Sequence, residues 1–213
     1  MFRCSAAICC LLVCCAAAAA QTHPDTTGEG WSDLYNGRDL TGWRTSGAWT
    51  PQADGVLALV PREGDAGWKR FEDYLWTEKT YGDFSLDLEY KIPAGGNSGV
   101  CFRIGDRADP VTTGIELQIL DSHGKPDAEM THHDAGGIIR TAAPLHNAAK
   151  SAGEWNRLTL TVVGSHLTAV LNGVLIQDVR LDDGPMQDRG VKGYIALQDH
   201  GQPVWFRDVR IKK

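Results

Sequence analysis

The 213-residue chain has a single cysteine after residue 15, too few for an intramolecular disulfide in that part of the sequence. Five of its six cysteines fall within the first 15 residues, and Cys101 is the sixth. Residues 1–20 read as a secretory signal peptide, because Arg3 is followed by a short apolar run that ends in three alanines. Cleavage before Gln21 would leave a lone thiol. We therefore expect the stability of the fold to come from a hydrophobic core.

The sequence also lacks a membrane-spanning run and an excess of positive charge. The apolar stretch of the leader is shorter than the roughly 20 residues that a bilayer crossing needs, and no later segment supplies one. Arg3 is the only charged residue of the leader, so the rest carries 20 basic and 27 acidic residues. This balance excludes a general nucleic-acid binder. We expect an exported protein, periplasmic or extracellular, with a lipid anchor at Cys15 as the alternative.

The pattern that dominates the rest of the chain is alternation with a period of two residues. In 84–90 the large apolar side chains share one face and polar ones share the other, which is typical of a half-buried strand. The same alternation occurs in 114–119, 156–162 and 166–171. Asn172-Gly173 follows the last of these and predicts a tight β-hairpin.

These signals predict an all-β domain over residues 31–213, built as a two-sheet sandwich or a barrel. Residues 21–30 are polar and rich in glycine and threonine, so we expect a short flexible segment there. The modest helix candidate, 142–150, is interrupted by Pro144. Segment 121–137 has no periodicity and predicts a long loop, either functional or simply solvated.

Standard catalytic motifs are missing from this sequence. It contains no nucleophile elbow, phosphate-binding loop, dinucleotide fingerprint or zinc-binding helix. The Glu-x-Asp-x-x-Glu pattern of β-glucanases is also missing, which disfavours conventional two-carboxylate glycoside hydrolysis. Cys101 lies in a β-rich run and is expected to be a small wall residue.

Polar residues of different strands could instead meet on one face of a sheet. Glu116 and Gln118 are two residues apart, and so are Gln198 and His200, so each pair shares a face. Arg103 lies two residues after Cys101, which predicts that it points to the side opposite its apolar neighbours. If these strands are neighbours, the side chains form one site. The alternative is that this face is only the solvated side.

Seven tryptophans all lie beyond the leader. Indole rings pack well against the C–H faces of sugars, although most tryptophans of a β-sandwich are core or edge residues. We expect one or two of them near a ligand.

At the level of motifs, the chain resembles the 3-keto-disaccharide hydrolase domain family. The resemblance begins with Trp31-Ser32-Asp33-Leu34-Tyr35-Asn36-Gly37-Arg38-Asp39-Leu40-Thr41-Gly42-Trp43. Further blocks follow in order at 75–77, 96–103, 114–121, 153–156, 171–173, 195–201 and 204–209. One block departs from the family pattern: relatives commonly have a Gly-Ala-Ile-Tyr-type block, and this chain has Gly136-Gly137-Ile138-Ile139-Arg140, without the tyrosine.

The resemblance implies a concanavalin-like jelly roll, a sandwich of two curved antiparallel sheets with a ligand groove. It also implies an exported enzyme whose carbohydrate substrate is a glycoside first oxidised at C3, so functional coupling to a sugar 3-dehydrogenase is expected. The 3-keto group acidifies the hydrogen on C2. A base can then remove that proton and expel the C1 aglycone by β-elimination, with later addition of water.

Residue roles follow from this resemblance. Glu116 is the expected base or metal ligand, Arg103 the group that stabilises the enolate, and His200 a proton-transfer or substrate-binding group. The expected substrate-binding residues are Asn97, Gln118, Asp121, Gln198, Trp76, His132 and His133. A divalent metal ion is a candidate cofactor, with His123, His132, His133 and Asp134 as its candidate ligands.

Two alternatives stay open at this level. Glu116 could brace Arg103 in a buried ion pair and do no chemistry. The whole domain could also be a non-catalytic carbohydrate-binding module that uses the groove and the tryptophans without a base.

Overall fold

The structure is a computed structural model that describes residues 22–213. The proposed signal peptide lies outside these residues. In chain order the elements are β1 (Trp31–Asp33), β2 (Trp43–Arg44), β3 (Trp49–Pro51), β4 (Leu57–Leu59), β5 (Leu75–Tyr81), β6 (Phe84–Lys91), β7 (Asn97–Ile104), α1 (Pro110–Thr113), β8 (Ile115–Leu120), β9 (Asn156–Val163), β10 (His166–Leu171), β11 (Val174–Arg180), β12 (Gly193–Leu197) and β13 (Val204–Lys212). Within residues 22–213, no helix combines the length and apolar character that crossing a membrane requires.

The strands form two antiparallel sheets, which confirms the predicted all-β jelly-roll sandwich. The larger sheet has eight strands in the order β11-β10-β9-β6-β13-β4-β3, with β1 paired to β13. The smaller sheet has five strands in the order β2-β5-β12-β7-β8. Large side chains of both sheets, such as Leu88 and Leu160 from one and Phe102 and Leu117 from the other, fill one buried core between them.

The four strands expected from alternation are present as β6, β8, β9 and β10. Alternation predicted them because one face of each strand packs into the core. The predicted hairpin is also present, between β10 and β11. Asn172 and Gly173 have φ of 51° and 83°, the two positive values that a type I′ turn needs.

The helix candidate at 142–150 is wrong. No regular helix forms there, because backbone and side-chain groups are used in contacts with other segments. Leu145 donates its backbone N–H to Ile176 O, and the Asn147 amide donates to Ser122 O and Lys125 O.

The polar segment before β1 lies against the larger sheet. His23 Nδ1 is 2.8 Å from Thr159 Oγ1, and its Nε2 accepts from Gly173 N at 3.0 Å. Arg157 donates to Pro24 O at 2.9 Å. These contacts attach residues 23 and 24 to the outer face of β9 and to the turn between β10 and β11.

The loop predicted at 121–137 returns to the edge of the smaller sheet. Gln118 N donates to Gly137 O, and Gly136 N donates to Gln118 O, both at 2.8 Å. Ile139 N then donates to Glu116 O at 3.0 Å. This return pairs the end of the loop with β8 and brings residues 139 and 140 beside Glu116.

Candidate active site

A polar cavity lies on the face of the smaller sheet that points away from the core. We call it the outer cavity, and its volume is about 230 Å³. This is below the roughly 300–1,000 Å³ of most small-molecule pockets, so its size suits one sugar unit better than an oligosaccharide. It is lined by Trp68, Asn97, Val111, Glu116, Gln118, His133, Ile139, Arg140, Gln198 and His200.

Glu116 supplies the carboxyl group of this cavity. It lies in β8 opposite Cys101 of β7, with its neighbours Ile115 and Leu117 buried in the core. Burial raises the pKa of Glu116 to about 7, and a hydrogen bond from Gln198 opposes part of that rise. A carboxyl group with this pKa is divided between acid and base near neutral pH, as proton-transfer chemistry requires.

Amide side chains orient the carboxyl group. The hydrogen-bond network is best satisfied when the Gln118 amide nitrogen faces Glu116 Oε1 at 3.3 Å and Ser98 O at 3.2 Å. In the other orientation the Gln118 amide nitrogen donates to Asn97 Oδ1 at 3.1 Å. The Oε1 atom of Gln198 is buried without a hydrogen-bond partner among the described residues, so a ligand could donate to it.

A glycine makes room for the carboxyl group. Gly99 lies beside Glu116 on the neighbouring strand, and a Cβ atom built on it would lie 2.4 Å from Glu116 Oε1. Only glycine therefore allows the Glu116 side chain to lie across β7 in this position. The sequence shows Gly99 only as one glycine of a short motif, so its spacing role was missed.

Two histidines add groups that can donate or accept protons. His200 follows β12, and burial lowers its pKa, so its ring is neutral at pH 7. His133 reaches the cavity from the long loop. The outer cavity thus combines a carboxyl group, two imidazoles and three amides, as the grouping of Glu116, Gln118, Gln198 and His200 predicted.

A second cavity, of about 30 Å³, also has Glu116 in its wall, and its volume is suited to a single water molecule. Tyr74 and Cys101 are in its wall. Burial raises the pKa of both the tyrosine hydroxyl and the cysteine thiol. Cys101 is therefore a protonated wall residue, as expected.

Arg103 does not reach either of these cavities, which corrects the expected position of this residue. Tyr194 of β12 pairs with Ile104 of β7, and Ala196 pairs with Cys101. Two residue steps along β12 thus correspond to three along β7, so β7 contains a bulge. Arg103 lies in the bulge with φ of 52°. The alternation of faces along β7 is interrupted at the bulge, so the Arg103 side chain does not point to the face that carries Glu116.

The Arg103 guanidinium is buried against the β9–β10 turn. It donates to Gly164 O at 2.7 Å and lies 3.3 Å from Asp83 Oδ1. The expected alternative, an ion pair between Glu116 and Arg103, is therefore also wrong. The role of Arg103 in this structure is to join two turns of the sandwich.

Three expected substrate-binding residues also lie outside the outer cavity, namely Asp121, Trp76 and His132. Asp121 accepts from Gly95 N at 2.9 Å and holds the turn before β7. Trp76 is buried, donates to Phe71 O at 2.8 Å and lines a neighbouring groove. The tryptophan of the outer cavity is Trp68, which the sequence did not single out from the other six.

Three of the four candidate metal ligands, His123, His132 and Asp134, form hydrogen bonds within the protein. His132 accepts from Arg140 N at 3.0 Å, and the ring of His123 bonds to Ala149 O. Asp134 is buried and bonds to Lys125 and Thr131. In the part of the chain that the structure describes, no three His, Cys, Asp or Glu side chains form a group that could hold a metal ion.

The jelly roll with a polar cavity on one sheet defines the concanavalin-like class of β-sandwich proteins. Within that class, the chain belongs to the family described as 3-keto-alpha-glucoside-1,2-lyase-like domain, which matches residues 30–212. A 3-keto-disaccharide hydrolase of Bacteroides thetaiotaomicron is 24% identical over 234 residues, which cover 86% of this chain and 78% of the relative.

Solved structures with the same fold include a protein of Parabacteroides distasonis that carries the provisional description glycosyl hydrolase. It is 27% identical with a TM-score of 0.72, and the match covers 86% of this chain and 98% of that one. The carbohydrate-binding module CBM66 of Bacillus subtilis has a TM-score of 0.56 at 15% identity, covering 81% and 96%, a likeness in fold alone. Family membership and the first two relatives support an enzyme that acts on glycosides.

Proposed function

We propose that the protein cleaves 3-keto-glycosides, including 3-keto-disaccharides, by removing the C2 proton and eliminating the C1 aglycone. The observation that carries the proposal is the half-buried carboxyl group of Glu116, with its pKa of about 7, in a cavity sized for one sugar unit. Membership of a family described by 1,2-lyase chemistry on a 3-keto-glucoside supports the same reaction.

In the proposed reaction, the Glu116 carboxylate takes the proton from C2. The electrons of the C2–H bond form the C1=C2 double bond, and the C1–O1 bond breaks as the aglycone oxygen takes up a proton. The neutral imidazole of His200 is the proposed relay: one ring nitrogen gives its proton to that oxygen while the other takes up a proton from Glu116 or from water. Water can then add to C1 of the enone, which gives the free 3-keto-sugar and net hydrolysis.

Negative charge develops on the C3 oxygen as the proton leaves. Arg103 cannot stabilise it, since its guanidinium is bound at Gly164. The nearby donors are instead the amides of Asn97 and Gln198 and the imidazole of His133, all of which line the outer cavity. We propose that these groups hold the sugar hydroxyls and the enolate oxygen.

The direct test is to incubate purified protein with 4-nitrophenyl 3-keto-glucoside and with 3-keto-trehalose. Release of nitrophenol and of a 3-keto-sugar supports the enzyme, and trapping of the enone separates elimination from direct hydrolysis. The kcat/KM is expected to rise with pH through about 7, because Glu116 must lose its proton to act as a base. Tight binding without release would instead favour the carbohydrate-binding module.

We also propose export to the periplasm or the cell exterior, and supply of the substrate by a sugar 3-dehydrogenase. Export is supported by the leader-like residues 1–20. The supply reaction is implied by the substrate, because an ordinary glycoside has no ketone at C3. Detection of mature protein beginning at Gln21 in a cell-envelope fraction would test the first proposal.

A further inference from the structure

Two walls of the outer cavity are formed by irregular segments. Trp68 belongs to the segment between β4 and β5, and His200 belongs to the turn between β12 and β13. Lys69 and Phe71 line the neighbouring groove that also contains Trp76, so the first of these segments has an open cavity on each side. Strand pairing does not fix the position of either wall, so other contacts have to fix it.

An ion pair joins the two segments. Arg70 Nη2 lies 2.6 Å from Asp199 Oδ1, and these two residues are close neighbours of Trp68 and His200 in the sequence. The side chain of Asp199 is fully buried. Its Oδ1 atom also accepts from Gly201 N at 2.7 Å, which closes the turn that carries His200. One carboxylate oxygen therefore connects the segment of Trp68 with the turn of His200.

The backbones of the two segments also touch each other. A Cβ atom built on Gly201 would lie 2.8 Å from Ala66 Cα and from Asp65 O, so only glycine allows this approach. Arg70 Nη1 lies 3.7 Å from Asp65 Oδ1, which adds a second charged contact at the same place. The Arg70–Asp199 pair thus lies in a packed junction between the two walls.

The arginine of this junction is anchored to the rest of the sandwich. Arg70 Nε donates to Asp73 Oδ2 at 2.9 Å. The backbone oxygen of Asp73 in turn accepts from the Trp49 indole at 2.8 Å and from the Thr45 hydroxyl at 2.9 Å. Trp49 is part of the buried core. The guanidinium therefore has a defined position relative to the core, and the ion pair conveys that position to Asp199 and the residue after it.

Stability alone does not account for a pair that is buried in this way. Burial raises the pKa of Asp199, and the Gly201 N–H and the Arg70 charge oppose that rise. The Oδ2 atom of Asp199 is buried and has no hydrogen-bond partner among residues 22–213. Desolvation of two charges offsets much of their attraction, and apolar side chains in their place are often equally stable. The benefit of the pair is therefore expected in the positions that it fixes.

We propose that Arg70 and Asp199 are positioning residues of the active site, whose ion pair holds Trp68 and His200 in place beside the sugar unit. The inference rests on the proposed function for the role of His200 and adds the residues that place it. Neither Arg70 nor Asp199 lines the outer cavity, so both act through their neighbours. Loss of the pair should raise KM by displacing Trp68 and lower kcat by displacing His200, because small errors in placement are costly.

The test compares Asp199→Asn, Arg70→Gln and the double variant with the wild type, using 4-nitrophenyl 3-keto-glucoside. Each single change should lower kcat/KM per folded molecule by roughly 10–100-fold. The double variant should lower it no further than the worse single change, because both changes remove the same contact. Arg62→Gln is the matched control and should keep wild-type kinetics, since this exposed arginine pairs with Asp65 and Asp73 instead of Asp199.

Melting temperatures and the folded fraction separate positioning from a structural role. Lower melting temperatures with wild-type kcat and KM per folded molecule would overturn the inference, and so would independent losses that multiply in the double variant. The double variant leaves no unpaired buried charge, so it is expected to fold even where a single variant does not. Its kinetics then decide alone: a loss of kcat/KM supports the inference and a wild-type value contradicts it.

Failure of the proposed function would be seen separately, as absence of cleavage by the wild type. Calorimetric binding of the same glycoside then tests the placement of the walls without catalysis. Weaker binding in the double variant than in the wild type and in Arg62→Gln supports the inference. Equal binding in all three proteins, or no binding by the wild type, overturns it.

Discussion

At the scale of single residues, the proposed base Glu116 has a raised pKa that lowers the stability of the fold at high pH. Its folded-state pKa of about 7 lies above the ordinary 4.5. Its contribution to stability is therefore fully present below pH 4.5 and is lost as the pH rises through 7. The charged form is retained at neutral pH although an uncharged side chain would be more stable there, a pattern typical of functional sites.

Replacement of Glu116 by glutamine separates activity from stability. We expect kcat to fall by roughly 10²–10⁴-fold, since the amide cannot accept the C2 proton. We expect the unfolding free energy to rise relative to the wild type by up to about 3 kcal/mol at pH 9, and to differ little at pH 5. Denaturant titrations at both pH values measure this. Glu129→Gln, at an exposed position, is the control. A strongly destabilised Glu116→Gln would contradict the assignment and favour a structural role.

Gly99 acts through the space it leaves for Glu116. A methyl group there would overlap Glu116 Oε1, so Gly99→Ala should displace the carboxyl group and lower kcat by about 10²-fold. Circular dichroism and the melting temperature report whether the fold persists. Gly82→Ala is the matched control, because its added Cβ would meet its nearest atom at an ordinary 3.6 Å. Unchanged kinetics in Gly99→Ala would show that the close contact has no bearing on turnover.

At the scale of elements, the strands and the hairpin were predictable and the direction of one side chain was not. Alternation in β6 and β9 is visible in the sequence because burial on one face imposes it. The bulge in β7 depends on a contact with β12, where a Cβ atom on Gly193 would lie 2.3–2.4 Å from the backbone of Arg103 and Ile104. The sequence of β7 alone does not reveal this contact with a residue about 90 positions later in the chain, so it could not predict the bulge.

Contacts between distant parts of the chain also explain why the sequence did not predict two residues of the outer cavity, Trp68 and Arg140. Trp68 reaches the cavity from an irregular segment, and neighbouring residues do not reveal which tryptophan will do so. Arg140 reaches it because the long loop returns along β8, a pairing that joins distant parts of the chain. Glu116, Gln118, Gln198 and His200 were identified because they lie on or next to regular strands.

Arg103 is expected to matter for stability and little for catalysis. Arg103→Met should lower the unfolding free energy by about 1–3 kcal/mol, because Gly164 O loses its charged donor. The kcat/KM per folded molecule should stay within about threefold of the wild type. Thermal unfolding and active-site titration of the same preparation give both values. A stable but inactive Arg103→Met would restore the catalytic role that the motif implied.

At the scale of the whole molecule, the proposed active site and the N-terminal segment lie on opposite faces of the sandwich. The cavities lie on the smaller sheet, and residues 23 and 24 lie on the larger one. His23 covers Asp87 and Thr159, which form a buried hydrogen-bonded pair on that face. Burial lowers the pKa of His23, so its neutral ring is the form that accepts from Gly173.

Replacement of His23 should therefore lower the stability of the fold and leave kcat/KM unchanged. We expect His23→Ala to lower the melting temperature at pH 8 by a few degrees, equivalent to about 1–2 kcal/mol. Because its folded pKa is lowered, the contribution is present above pH 6.5 and is lost as the pH falls further. The difference between the two melting temperatures should therefore shrink as the pH falls below 6.5. His166→Ala, at an exposed position, is the control. A change in kcat/KM would contradict the separation of the two faces.

The pairing of β1 with the end of β13 has a practical consequence. Trp31 lies opposite Lys212, and residues 23 and 24 contact β9 and the β10–β11 turn, so both ends of the described chain lie on the larger sheet. An affinity handle, a surface linker or a fused partner at either end would start on the side remote from the cavity. Immobilised protein should accordingly present its open site to the surrounding solution.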